Sequence, residues 1–123
     1  MSQKRRAAER RGRTAEFVAA LWLMAKGYRI LGLRQRTPYG EVDIAAWKRG
    51  VLVIVEVKQR RDYARGVESI TPRAQERIIR AGQTLAGRWR LHAAPIRLDF
   101  IVVGASWLPK HERGAWFSDK VGV

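Results

Sequence analysis

Glu41-Val42-Asp43-Ile44-Ala45-Ala46-Trp47-Lys48-Arg49-Gly50-Val51-Leu52-Val53-Ile54-Val55-Glu56-Val57-Lys58 is the stretch whose reading decides the fold. Two β-prone runs, residues 42–47 and 51–57, flank Lys48-Arg49-Gly50, which has the composition of a tight hairpin turn. A two-residue turn at Arg49-Gly50 sets Lys48 opposite Val51, Trp47 opposite Leu52, Ala45 opposite Ile54 and Asp43 opposite Glu56. Cross-strand partners hold their Cβ atoms about 4.5–5.5 Å apart, so two carboxylates meet on one face of the sheet. Lys58, two residues beyond Glu56, points to that same face. The other face carries Val42, Ile44, Val53, Val55 and Val57, an apolar surface suited to a core. Like charges set opposite one another are destabilising. A divalent cation between them turns the repulsion into coordination, because hard ions take carboxylate oxygens. Two alternatives stay open on spacing alone. A three-residue turn slips the register by one and sets Asp43 opposite an apolar neighbour. A solvated face, with Glu41 paired to Lys58 across the strands, needs no metal.

The hairpin sits in a chain of 123 residues, the length of one domain with a single modest core, and its hydrophobic fraction of 46% is ordinary. The charge is not ordinary. Twenty-five Lys and Arg against 11 Asp and Glu give +14, with a pI near 11.5. That excess points to nucleic acid or an anionic membrane surface as partner. The absence of cysteine excludes disulfide scaffolds and thiolate zinc sites. His92 and His111 have no ligand spacing and read as surface residues. No run approaches the roughly 20 apolar residues of a membrane-spanning helix. The basic residues 4–13 followed by the apolar run 17–25 superficially resemble a signal peptide. Glu16 abuts that run, however, and Lys26-Gly27-Tyr28 offers no small-x-small cleavage site, so a cytoplasmic location is expected.

Along the chain, residues 1–12 read as a basic amino-terminal arm and 13–123 as the domain. Thr14 is a candidate N-cap for a helix over 15–26, with Val18, Leu21, Trp22 and Ala25 at helical spacing and Gly27 as its stop. Glu16 then falls in the first turn, where the macrodipole alone accounts for a carboxylate. A strand over 28–34 and a turn over 35–40, containing Pro38 and Gly40, lead into the hairpin. The polar, basic segment 59–65 reads as a phosphate-contacting loop. Thr71-Pro72 starts a second helix, to about Arg88, burying Ile78, Ile79 and Leu85 and leaving Arg73, Arg77, Arg80 and Arg88 to solvent or phosphate. Residues 96–103 form a strand that carries Asp99. The tail holds Trp107, Leu108, Trp116 and Phe117, a cover for the core with an edge strand near 107–111. No repeat, P-loop, GxGxxG or nucleophile elbow is present.

The order helix, three strands, helix, strand, with Gly40-Glu41-Val42-Asp43-Ile44, Val55-Glu56-Val57-Lys58, Thr71-Pro72-Arg73 with Gln75, and Arg97-Leu98-Asp99, resembles the PD-(D/E)XK restriction-endonuclease-like superfamily. It is most similar within it to the small bacterial YraN-like family, akin to archaeal Holliday-junction resolvases, over roughly residues 12–103. The resemblance implies an α/β fold with a restriction-endonuclease-like core, a central mixed β-sheet flanked by helices in the order α-β-β-β-α-β. It implies Glu16, Asp43 and Glu56 as ligands of Mg²⁺ or Mn²⁺, and Asp43, Glu56 and Lys58 as the catalytic set, with Lys58 beside the attacking water. Asp99 matches a family aspartate read here as structural. The chain departs from the family pattern at Ala15, where glycine is usual, at Ala74, where lysine is common, and at Gln59-Arg60, where Thr-Arg is usual.

The chemistry these residues suit is metal-dependent hydrolysis of phosphodiester bonds in DNA, selective for branched or junction structures by the resemblance. Arg10, Arg11, Arg13, Arg60, Arg61, Arg65, Arg73 and Arg77 are the candidate backbone-phosphate contacts, made without reading sequence. One rival is an inactive nucleic-acid-binding module of the same fold, and another is a basic interaction protein for an acidic protein or membrane surface. Resolvase-like enzymes act as dimers on two-fold substrates, so a homodimer is implied, although no self-complementary patch is readable.

Overall fold

The computed structural model describes residues 3–59, 71–104 and 108–118, without the side chains of residues 4, 5, 7–12 and 115–118. Seven elements follow in order: α1 (Gln3–Ala25), β1 (Arg29–Thr37), β2 (Gly40–Lys48), β3 (Val51–Gln59), α2 (Pro72–Arg88), β4 (Ile96–Val103) and β5 (Pro109–Ser118). The sheet runs β1-β2-β3-β4-β5, antiparallel except for the parallel β3–β4 pair that the α2 crossover joins. The expected mixed sheet flanked by helices is present. The tail adds a fifth strand, considerably longer than the short edge near 107–111.

The hairpin register is set by its turn. Arg49 and Gly50 both have positive φ, +51° and +80°, the backbone of a type I′ turn. Lys48 faces Val51, Trp47 faces Leu52 and Ala45 faces Ile54, as a two-residue loop requires. The strands β3 and β4 are covered on both faces, so residues 52–56 of β3 and every position of β4 but Arg97 are buried. One face packs α1 onto Ile44, Ala46, Val53, Val55, Ile101 and Val103. The other packs Ile78, Ala81, Leu85 and Ala86 of α2 onto Val42, Ala45, Leu52, Ile54, Ile96 and Leu98.

Two expectations for α1 need correction. The helix begins at Gln3, so residues 3–12 of the expected arm are helical, Thr14 lies inside the helix rather than at its N-cap, and Glu16 lies well inside, out of reach of the terminal dipole. Its buried stripe is Ala15, Ala19, Ala20 and Leu23, whereas Leu21 and Trp22 are exposed together with Phe17 and Met24. Small side chains let the helix approach the branched residues of the sheet closely, and this outweighs burial of the larger ones. The second helix follows expectation: Thr71 is its N-cap, with its hydroxyl accepting from Ala74 N–H at 3.1 Å, and Pro72 opens the first turn. Ile79 is only half-buried, and Ala81 and Ala86 take the core positions instead.

Both helices end in the same motif. In α1, Gly27 N–H bonds Met24 O and Tyr28 N–H bonds Leu23 O; in α2, Arg90 N–H bonds Gly87 O and Leu91 N–H bonds Ala86 O. The residue in the left-handed position is Gly27 (φ +92°) in the first and Arg90 (φ +58°) in the second. A β-carbon is disfavoured in that position, so Arg90 is held there at a cost.

Asp99 is fully buried on the α1 side of β4. It accepts from Arg97 Nε at 2.7 Å and Nη2 at 2.8 Å, from Gly114 N–H at 2.9 Å, and pairs with His111 Nε2 at 2.7 Å. Burial pushes its carboxyl up, but the bonds from His111, Arg97 and Gly114 outweigh it and hold the group below the usual carboxylate range. The β4–β5 register shifts between Leu98 and Phe100, so β5 bulges where Gly114 turns its N–H onto this carboxylate. His111 is therefore no surface residue: its side chain is 3% exposed, and Lys26 Nζ lies 2.8 Å from its Nδ1. Replacing Asp99 by Ala should cost about 3–5 kcal/mol, because Arg97 is left buried without its counter-charge. A thermal melt falling by less than about 5 °C would show that β5 is held by something else.

Candidate functional site

The β2–β3 ladder stops short of the acidic pair. Its last pairing is Ile44 with Val55, and the expected Asp43–Glu56 pairing does not form as a backbone register. Instead the Asp43 carboxylate takes over the ladder's role, its Oδ2 accepting from Val57 N–H at 2.8 Å. The strand turns at this point: Ile44 packs on the α1 side, while Val42 packs on the α2 side. The two carboxyl groups still meet, within reach of a shared proton.

Their environment is what an isolated pair of acids resists. Glu56 is 6% exposed, and its Oε1 is buried without a hydrogen-bond partner among the described residues. Burial first, and the charge of Asp43 second, push the Glu56 carboxyl up to about 8, against the pull of Lys58 and Arg77. Asp43 is likewise raised, by burial above all and by Glu16 and Glu41, against the Val57 hydrogen bond and Lys58. Lys58 acts through space, since no ion pair links it to Asp43, Glu56 or Glu41 among the described residues. The cross-strand Glu41–Lys58 bridge, the alternative that needed no metal, is absent.

The remaining expected residues divide. Glu16 faces this corner closely enough to raise Asp43, but its carboxylate is held by Arg34 Nε at 2.6 Å. Arg34 is delivered to it by a left-handed backbone, φ +51°, which no sequence pattern signals. No group of three or more His, Cys, Asp or Glu that could hold a metal is found among the described residues. Arg13 and Arg73 are exposed. Arg77 is exposed too, yet it spends Nη1 on Tyr39 O at 3.2 Å and lends its charge to Glu56. Arg60, Arg61 and Arg65, the side chains of Arg10 and Arg11, and the tail aromatics Trp107, Trp116 and Phe117 lie outside the described residues and side chains. Gly40 opens the motif strand at φ +118°, and a β-carbon there would fall within 2.5 Å of Arg77 Nη1. The positive φ is what calls for glycine here, since the tip of the arginine side chain can shift aside.

Two adjacent oxygen ligands, one with an unpartnered buried atom, fit Mg²⁺ or Mn²⁺. Mg²⁺ is commonly held by one or two carboxylates, completing its shell with water and substrate phosphate.

Without metal, the buried pair makes stability depend on pH. Glu56 titrates near 8 in the folded chain against an ordinary 4.5, so the folded state binds the extra proton between these values. The associated stability is fully present below about pH 4.5 and is lost as pH rises through about 8. In EDTA the protein should lose about 1–3 kcal/mol between pH 5 and pH 8, and Glu56→Gln should abolish most of that loss. Identical pH profiles for wild type and Glu56→Gln would place the proton elsewhere.

Among the described residues no helix is long and apolar enough to cross a membrane. The family model described as "Uncharacterised protein family UPF0102" matches residues 15–103. A UPF0102 protein of Caulobacter sp. (strain K31) is 49% identical over 111 residues, covering 89% of this chain and 80% of its own length. One from Maricaulis maris (strain MCS10) is 45% identical over 117 residues, 94% of this chain and 92% of its own. The matched span begins at the first core residue of α1, contains Asp43, Glu56 and Lys58, and closes with β4: the chain belongs to the UPF0102 family.

Proposed function

We propose that this chain hydrolyses phosphodiester bonds in DNA, with Mg²⁺ or Mn²⁺ held by Asp43 and Glu56 and with a preference for branched or junction structures. The observation that carries the reading is Glu56 Oε1, a buried carboxyl oxygen without a partner, set against a second carboxylate where β2 and β3 separate. A native fold keeps such an arrangement at a cost, and a cation with its phosphate ligand removes that cost.

The cation would supply charge neutralisation at the non-bridging phosphate oxygens. Asp43 is fixed by Val57 N–H, so one ligand is oriented in advance. Lys58, on the same strand as Glu56 and without a direct ion pair among the described residues, orients the attacking water or stabilises charge on the oxygen that leaves. Arg73 at the start of α2, with Arg13 and the basic residues at 10, 11, 60, 61 and 65, supplies sequence-independent phosphate contacts.

A second reading, a binding module without catalysis, is favoured by one observation: Glu16 is paired with Arg34, and two carboxylates stand where the resemblance implies three. Cleavage of labelled single-stranded, duplex, flap and four-way-junction DNA in Mg²⁺, Mn²⁺ or EDTA separates the two. Lys58→Ala should lower cleavage at least about 100-fold while leaving affinity nearly unchanged, and Lys58→Arg should not restore it. Equal rates for wild type and Lys58→Ala would remove the catalytic role; tight binding with no cleavage of any substrate would leave the module. In either reading, duplex affinity should fall with salt at a log–log slope of about −0.9 per phosphate contacted. A binding constant unchanged by salt would remove nucleic acid as the partner.

A further inference from the structure

At the hairpin end of the sheet an open cleft of about 360 Å³ is lined by Arg29, Leu31, Trp47, Trp89 and Leu91. That volume lies within the range of small-ligand pockets, about 300–1,000 Å³. Arg29 and Trp47 are cross-strand partners of β1 and β2, so they are fixed relative to each other by the ladder. Trp89 and Leu91 come from the closing motif of α2, which holds them through two backbone hydrogen bonds. The four apolar side chains pack against the α2-side core from outside and remain only half-buried. Two indoles at the rim of a solvent-open cleft are more than the core beneath them needs.

Three observations say what the cleft takes. Its lining combines two indoles with a guanidinium, the side chains on which planar heterocycles stack. The non-glycine residues with left-handed backbones among the described residues are all arginines, and two of the three, Arg49 and Arg90, flank this end of the sheet. Both are exposed cations held at a conformational cost, where glycine or asparagine would be the easier residue. The third observation is position. Trp47 lies four residues from Asp43 on β2, about 13 Å along the strand, and just past Asp43 the Arg36 carbonyl, opposite Glu41, accepts from Arg88 Nη2 and ties β1 to α2. We propose that this cleft receives an unpaired nucleobase of a single-stranded or branched nucleic acid, with the flanking arginines on its phosphates. The proposal rests on the nucleic-acid reading above and names the feature of the substrate that the chain would select: a base free of its pairing partner.

The base stacks in the cleft while its backbone runs along the β1–α2 side toward Asp43 and Glu56. Duplex DNA offers no free base and engages the basic surface alone. The experiment uses the full chain in EDTA, so that binding is read without cleavage, and fluorescence anisotropy of a labelled 12-nucleotide strand, the same strand with abasic sites, and the matching duplex. Wild type should bind the intact strand about 5–100-fold more tightly than the abasic one of equal charge. Trp89→Ala should weaken the intact strand by a similar factor and leave the duplex within about twofold, and Trp89→Phe should restore most of the loss. Equal affinity of wild type for intact and abasic strands overturns the proposal without any mutant. So does a Trp89→Ala variant that weakens strand and duplex alike, or neither. Duplex binding without abasic discrimination removes only the cleft, whereas no binding to any of the three removes the nucleic-acid reading as well. Base discrimination in a protein that cleaves nothing keeps the cleft and sinks the nuclease.

Discussion

The structure turns on a charge placed where the sheet has least room for it. Strand β3 is paired on both sides and covered by a helix on each face, and Glu56 sits in it. A carboxyl group in such a place must neutralise, find hydrogen bonds or meet a cation. It has Asp43 beside it, which makes ionisation harder, while Lys58 and Arg77 ease it only in part. The irregularities nearby follow the same logic: the ladder ends at Ile44, Asp43 gives its oxygen to the Val57 amide, and the strand rotates so that Val42 can reach the α2-side core.

The sheet's other buried carboxylate has the opposite solution. Asp99 is surrounded by donors and stays ionised, drawing β5 into a bulge and burying His111. The contrast separates the two acids by role. Asp99 is saturated by its own chain: its bonds run to Arg97 on its own strand and to His111 and Gly114 of the bulged β5, and His111 in turn meets Lys26 beyond the end of α1. Glu56 keeps one buried oxygen without a partner among the described residues, with the charges of Lys58 and Arg77 nearby.

Much of this was legible in the sequence where local chemistry decides. Arg49-Gly50 dictates a two-residue turn and hence the hairpin register, and Thr71-Pro72 dictates a helix start; both depend on neighbours within a few residues. The inward face of α1 was not legible, because the large apolar residues Leu21 and Trp22 carry the stronger helical signal while the alanines do the packing. His111 was missed because its partners, Asp99 and Lys26, are brought to it only by the tertiary fold. Asp43 opposite Glu56 was anticipated as a ladder position that does not form; the Asp43 carboxylate instead reaches across the gap to accept from Val57 N–H. Glu16 shows the limit most clearly. Its charge is diverted by Arg34, whose left-handed backbone has no signature in composition or period.

The topology also orders events in time. Strands β1, β2 and β3 are consecutive and joined by tight turns, and hairpins of this kind form in about 1–10 μs. The β3–β4 pair must wait for the α2 crossover to close, and parallel pairings of this separation are slow. Pairing of β2 with β3 needs no crossover, so topology allows Asp43 and Glu56 to be brought together while both are still in water. They lose that water only when both helices dock. Proton uptake by the pair is thus a late event of metal-free folding, and the free energy of packing the last layer is coupled to the proton concentration in the surrounding solvent.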